Sequence, residues 1–176
     1  MVIYKRREII SEKNINLIAI TLISIIMQGC GDPSMTDISD KIVKVETPKG
    51  KYTTVKKSSG AYGRYQIMPK TAKHYTRKLN MNHSKWKHPK NQDKIFLALL
   101  PDNVESLKRN DIEVNAFTVY GCHQQEATGF KSIVNNEKMS AYSYEKLRRN
   151  LPGKYKYISN KKLRKVWMSY WKNKMS

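Results

Sequence analysis

The sequence predicts a mainly α-helical protein with one folded domain, on three observations. Apolar residues recur at helical spacing: Ile38, Ile42 and Val45 stand at i, i+4 and i+7, and Leu163, Val166, Trp167, Tyr170 and Trp171 repeat at offsets of 3, 4, 7 and 8. Residues that start or stop helices punctuate the intervals between such segments. Only residues 51–59 read as a polar, β-branched stretch, and it is short. The 176 residues suffice for one domain with a real core and are too few for two ordinary ones.

Each element has its own warrant. Thr36 or Asp37 can cap a helix over 38–45, which Pro48 and Gly50 end, leaving Glu46 at its C-terminus. The segment 68–79 reads as a helix with Pro69 in its first turn, where a missing N–H costs nothing. Trp86 and Pro89 mark a loop packed by an aromatic. The pattern over 91–110 is helical, but Pro101 forces a kink or a restart with Asp102 in the new first turn. Short buried helices are expected over 114–120 and 128–135. Residues 151–176 hold eight Lys and Arg and no acid, with Ser159 able to cap a terminal helix. The aromatic face of that helix either forms a cationic stripe for a membrane surface or glycan, or docks on the domain with its lysines in water. No internal repeat or low-complexity segment is present.

Charge is the outlier of the composition. Against 14 Asp and Glu stand 34 Lys and Arg, a net +20. Such a field draws a protein toward polyanions: nucleic acid, lipid head groups or an anionic cell wall. Drift toward Lys and Asn produces the same balance without function. No nucleic-acid-binding module is recognisable, so no specific nucleic acid partner is expected.

Residues 1–29 read as an export signal. Lys5, Arg6, Arg7 and Lys13 make a positive start, and residues 17–27 form an almost wholly apolar run. Its length suits a signal core of roughly 7–15 residues and falls short of a spanning helix. Gln28-Gly29-Cys30 resembles the lipobox of bacterial lipoproteins, in which the cysteine is lipidated and becomes the first mature residue. Lipidation at Cys30 would anchor the protein to a membrane, with 30–37 as a tether and 38–176 as the domain. The competing reading pairs Cys30 with Cys122 in a disulfide. His74, His83, His88 and His123 show no ligand spacing, so no metal and no cofactor are expected.

The most informative stretch is Gly60-Ala61-Tyr62-Gly63-Arg64-Tyr65-Gln66-Ile67-Met68-Pro69, followed by Thr71 and Ala72, with Glu46 upstream. Glycines let backbone approach a flat pyranose ring, tyrosine stacks on it, and glutamine hydrogen-bonds its polar groups. A carboxylic acid against such a wall is what glycosidic cleavage needs, because the leaving oxygen must be protonated. Carbonyls at a helix C-terminus, and an apolar pocket, both favour the protonated form of an acid at position 46.

The stretch resembles the signature of lytic transglycosylases with the goose-type lysozyme-like fold: a catalytic Glu, a variable turn, then G-A-x-G-x-x-Q-x-M-P-x-T-A. Asn115-Ala116-Phe117-Thr118-Val119-Tyr120-Gly121-Cys122-His123-Gln124-Gln125 is similar to the family's second motif, in the His-Gln-Gln variety of phage- and secretion-associated members. Glu126 stands where Gly is usual there, and Cys122 where a small residue such as Ala is common. The resemblance spans roughly 38–130. It implies a lysozyme-like α+β domain with a small β-hairpin, in 51–59, beside the cleft, and a monomer acting on peptidoglycan glycan strands in the periplasm or envelope.

By that resemblance Glu46 is the catalytic acid and Tyr120 reaches it from across the cleft. Gly63, Tyr65, Gln66 and Met68 line the cleft, Gln124 and Gln125 bind glycan with His123 beside them, and Ser58 or Ser59 supports the acid. The implied reaction cleaves the bond between N-acetylmuramic acid and N-acetylglucosamine with one carboxylate and forms a 1,6-anhydro ring. A hydrolase would need a second carboxylate about 5–9.5 Å away. Asp93, Asp102 and Glu105 lie in a helical segment without a cleft signature, which leaves Glu126 as the competitor. A muramidase acting on the same bond, and an inactive glycan- or envelope-binding protein, are the alternatives.

Overall fold

The computed structural model describes residues 34–176, and these are mainly helical. The elements run α1 (Met35–Glu46), β1 (Val55–Lys56), β2 (Ala61–Tyr62), α2 (Pro69–Lys78), α3 (Pro89–Lys108), α4 (Ala116–Gln125), α5 (Ala127–Val134), α6 (Ala141–Arg149) and α7 (Asn160–Met175). Short 3-10 turns occupy His83–Lys85 and Gly153–Tyr155. The segment read as an export signal, Cys30 and the start of the stretch read as a tether lie outside the described residues.

Helix α1 begins earlier than expected, inside the stretch read as tether, because Ser34 caps it by accepting from the Thr36 N–H at 3.2 Å. Ile38 and Ile42 are buried as their spacing requires, together with Val43. Glu46 is the last helical residue, and the Thr47 N–H closes the end on the Val43 carbonyl at 2.8 Å. Of the stretch 51–59 only two residues are strand: Val55 pairs Tyr62 and Lys56 pairs Ala61, antiparallel. The hairpin therefore borrows its second strand from the Gly-rich stretch, and an isolated bridge from Tyr62 to Ile67 folds that stretch back on itself.

Helix α3 starts at Pro89, where a loop was expected, and continues through Pro101 as one helix. Pro101 is exposed, and Leu97, whose carbonyl loses its donor, is 64% exposed, so water can serve that carbonyl. Helix α4 extends beyond the expected end at Tyr120 to Gln125, started by a reciprocal cap between Asn115 and Thr118. Helix α6, capped by Ser140, was not anticipated from the sequence.

Helix α4 is the hub, packing against α1, α3, α5 and α7. Close approach of α5 depends on Gly121, where an added Cβ would sit 2.2 Å from the Phe130 ring. The terminal helix takes the docked alternative. Leu163 and Trp167 are fully buried, Met175 nearly so, and Lys41 Nζ donates to the Met175 carbonyl at 3.1 Å. No described helix is long and apolar enough to cross a membrane.

Candidate functional site

The site forms where the end of α1 meets the middle of α4. Glu46 is half-buried, and the Tyr120 hydroxyl donates to its Oε1 at 3.0 Å across 74 residues of chain. One turn further along α4, Gln124 Nε2 donates to the Tyr120 oxygen at 2.9 Å. Gln124 Oε1 in turn accepts from Trp167 Nε1 at 3.1 Å and from Gln125 Nε2 at 3.2 Å. Burial, then the Glu46 carboxylate, push the Tyr120 phenol far above its ordinary range, so it keeps its proton and acts as a donor.

The Gly-rich turn is clasped beside this chain from several sides. Thr47 Oγ1 donates to the Arg64 carbonyl at 2.6 Å, and His123 Nε2 meets the Tyr65 carbonyl at 2.9 Å. A carbonyl only accepts, so His123 carries its proton on Nε2. Its Nδ1 is then a buried lone pair without a partner. Desolvation lowers the His123 pKa below its ordinary 6.5, against the opposing pull of Glu46 and the Tyr65 carbonyl. Gln66 sits at φ +47° and donates to the Gly63 carbonyl at 2.8 Å and the Thr54 carbonyl at 3.2 Å.

Several residues expected to line the cleft are instead engaged within the protein. Tyr65 is 7% exposed, its ring stacked on Phe96 at 3.9 Å and its hydroxyl donated to Asp93 at 2.8 Å, so it offers no face to a sugar. Gly63 has φ +83°, and a Cβ there would lie 1.7 Å from Gln92 Oε1, so its missing side chain admits Gln92 rather than a ligand. That glutamine is fully buried and braces the turn, accepting from the Arg64 N–H at 3.1 Å and donating to the Tyr52 and Lys87 carbonyls. Gln66 and Gln125 are buried, with their amide nitrogens engaged within the protein. Ser59 is exposed in the hairpin turn, where it accepts from the Ala61 N–H at 3.3 Å rather than supporting Glu46. Met68, by contrast, is open to solvent at 42%.

The structure thus joins Glu46, Tyr120, Gln124, Gln125 and His123 to the turn carrying Tyr65 and Gln66. It adds Thr47, Gln92 and Trp167, which sequence reasoning did not assign. A hydroxyl residue directly after Glu46 was the available signal for Thr47. Trp167 was visible only as part of an apolar face, and Gln92 had no signal at all.

The other carboxylates have partners of their own. Asp93 accepts from Tyr52 and Tyr65, both at 2.8 Å, and Asp102 from Tyr75 and Lys78. Glu105 pairs with Arg109 at 3.1 Å. The side chain of Glu126 is 73% exposed and lies 3.7 Å from Lys146. Cys122 is buried, and desolvation pushes its thiol up to about 12, leaving it unreactive at neutral pH. Among the described residues, no group of His, Cys, Asp or Glu is placed to hold a metal ion. No family model matches the chain, and no curated protein or solved structure matches it.

Proposed function

We propose that residues 38–176 are a lysozyme-like catalytic domain and that the protein is a peptidoglycan lytic transglycosylase. The observation that carries this reading is the hydrogen bond from Tyr120 to Glu46, which unites the two motifs at one carboxylate. Protonated Glu46 gives its proton to the oxygen between N-acetylmuramic acid and N-acetylglucosamine as the C1–O bond breaks. The substrate's acetamide supports the developing charge at C1. Glu46, now a carboxylate, takes the proton of the 6-hydroxyl, and the O6–C1 bond closes the anhydro ring. Glu46 ends protonated, and no water is consumed.

One carboxylate suffices for that sequence, and the engagement of Asp93, Asp102 and Glu105 elsewhere supports it over a two-carboxylate hydrolysis that would use one of them. Mass spectrometry of muropeptides released from purified peptidoglycan tests the proposal. Anhydro ends are expected. Reducing ends would make the protein a muramidase, and sedimentation with the polymer without soluble product would make it an inactive binding protein.

The location proposed is the cell envelope, on the export pattern of residues 1–29, with a lipid on Cys30 and a net charge of +20 suited to an anionic wall. Radiolabelled palmitate should enter the wild type and not Cys30→Ser; equal labelling of both removes the lipid anchor.

A further inference from the structure

We propose that Trp167, on the C-terminal helix α7, is a positioning residue that decides which oxygen of Glu46 carries the transferable proton. The inference rests on the reading of Glu46 as the acid. It follows from the directions in which each group can donate. An indole N–H donates and never accepts, so the Gln124 atom 3.1 Å from Trp167 Nε1 must be the carbonyl oxygen. That fixes the amide orientation and turns the Gln124 nitrogen toward the Tyr120 oxygen at 2.9 Å. The Tyr120 oxygen accepts there, so its single proton points to Glu46 Oε1, to which the hydroxyl donates at 3.0 Å.

An Oε1 that receives the phenol proton is a poor place for the acid's own proton. The transferable proton therefore sits on Oε2, which has no hydrogen-bond partner among the described residues. Without the indole donor, the Gln124 oxygen keeps only the longer 3.2 Å bond from Gln125 Nε2, an amide that can turn with it, so the Gln124 amide can flip and present its oxygen to Tyr120. The phenol would then donate to Gln124, Oε1 would lose its donor, and both oxygens of Glu46 would compete for the proton. The terminal helix thus contributes to the chemistry from a residue that is itself fully buried.

The test is a double-mutant cycle between Trp167→Phe and Tyr120→Phe, reading kcat, KM and Tm. Phenylalanine keeps most of the ring packing and removes the N–H. Trp167→Phe alone should lower kcat about 3–10-fold with KM unchanged. Added to Tyr120→Phe it should change kcat by less than about twofold, because the relay is already cut. Equal losses in both backgrounds, or full kcat in Trp167→Phe, would overturn the proposal.

Gln124→Met covers the case in which the tryptophan variant does not fold: it should reproduce the kcat loss, and full kcat there would equally overturn the relay. If the wild type cuts no glycan, the reading of Glu46 as the acid fails by itself. The relay is then read from the carboxyl ¹³C resonance of Glu46 at fixed pH. That resonance should move in Trp167→Phe and should not move further when the substitution is added to Tyr120→Phe; additive movement refutes the relay.

Discussion

His123 shows what a single residue contributes by staying neutral. One ring nitrogen holds the Tyr65 carbonyl, and the other is a buried lone pair facing no donor. Charging the ring would place a desolvated cation in the wall of the site, which is why its folded pKa lies below the unfolded value of 6.5. Between those two values the unfolded chain binds the proton more readily than the folded one. The stabilisation from His123 is therefore complete above 6.5 and is lost as pH falls from there toward the folded value. Thermal unfolding of the wild type and His123→Gln at about pH 7.5 and about pH 5 measures this. The advantage of the wild type in Tm should shrink at the lower pH; an advantage that is constant or grows would show that His123 is not held neutral. Glutamine keeps an N–H able to reach the Tyr65 carbonyl, so the comparison isolates the charge.

At the scale of elements, the joint between α4 and α5 is a strained point of the backbone. Glu126 ends one helix and begins the next at φ 63° and ψ 151°, a backbone conformation that essentially only glycine adopts without strain. Such a residue stores about 1–3 kcal/mol. Its exposed contact with Lys146 returns little, since surface ion pairs are worth at most about 1 kcal/mol. Glu126→Gly should therefore raise stability by about 1 kcal/mol, after the extra unfolded-state freedom of glycine is subtracted. In a domain of this size that is a rise in Tm of roughly 2–4 °C. A lowered Tm would mean that the joint is not strained. The departure from glycine was legible in the sequence; the conformation it strains was not, because nothing local distinguishes a tight helix–helix joint from a loop. Helix α6 was missed for a related reason. Only Leu147 of its nine residues is buried, so its apolar stripe is too thin to read.

At the scale of the molecule, distant segments meet at one carboxylate: the end of α1, the turn after the hairpin, the middle of α4 and, through Trp167, the terminal helix. The main helices and the Glu46–Tyr120 meeting were legible because helical spacing and two motifs marked them. Which residues of the signature face a ligand was not legible. Tyr65, Gln66 and Gly63 are engaged inside the protein, and a linear pattern does not distinguish a residue open to a ligand from one that braces the backbone. The terminal aromatics followed ordinary amphipathic spacing, and docking them leaves lysines such as Lys161, Lys162, Lys165, Lys172 and Lys174 in water. That cationic exterior suits an anionic polymer, but the proposed chemistry depends on Glu46. Glu46→Gln keeps an oxygen for the Tyr120 hydroxyl and removes the acid. Muropeptide release by this variant should fall about 10²–10⁴-fold with Tm unchanged. Release at the wild-type rate from a folded Glu46→Gln protein would contradict the assignment of Glu46 as the proton donor.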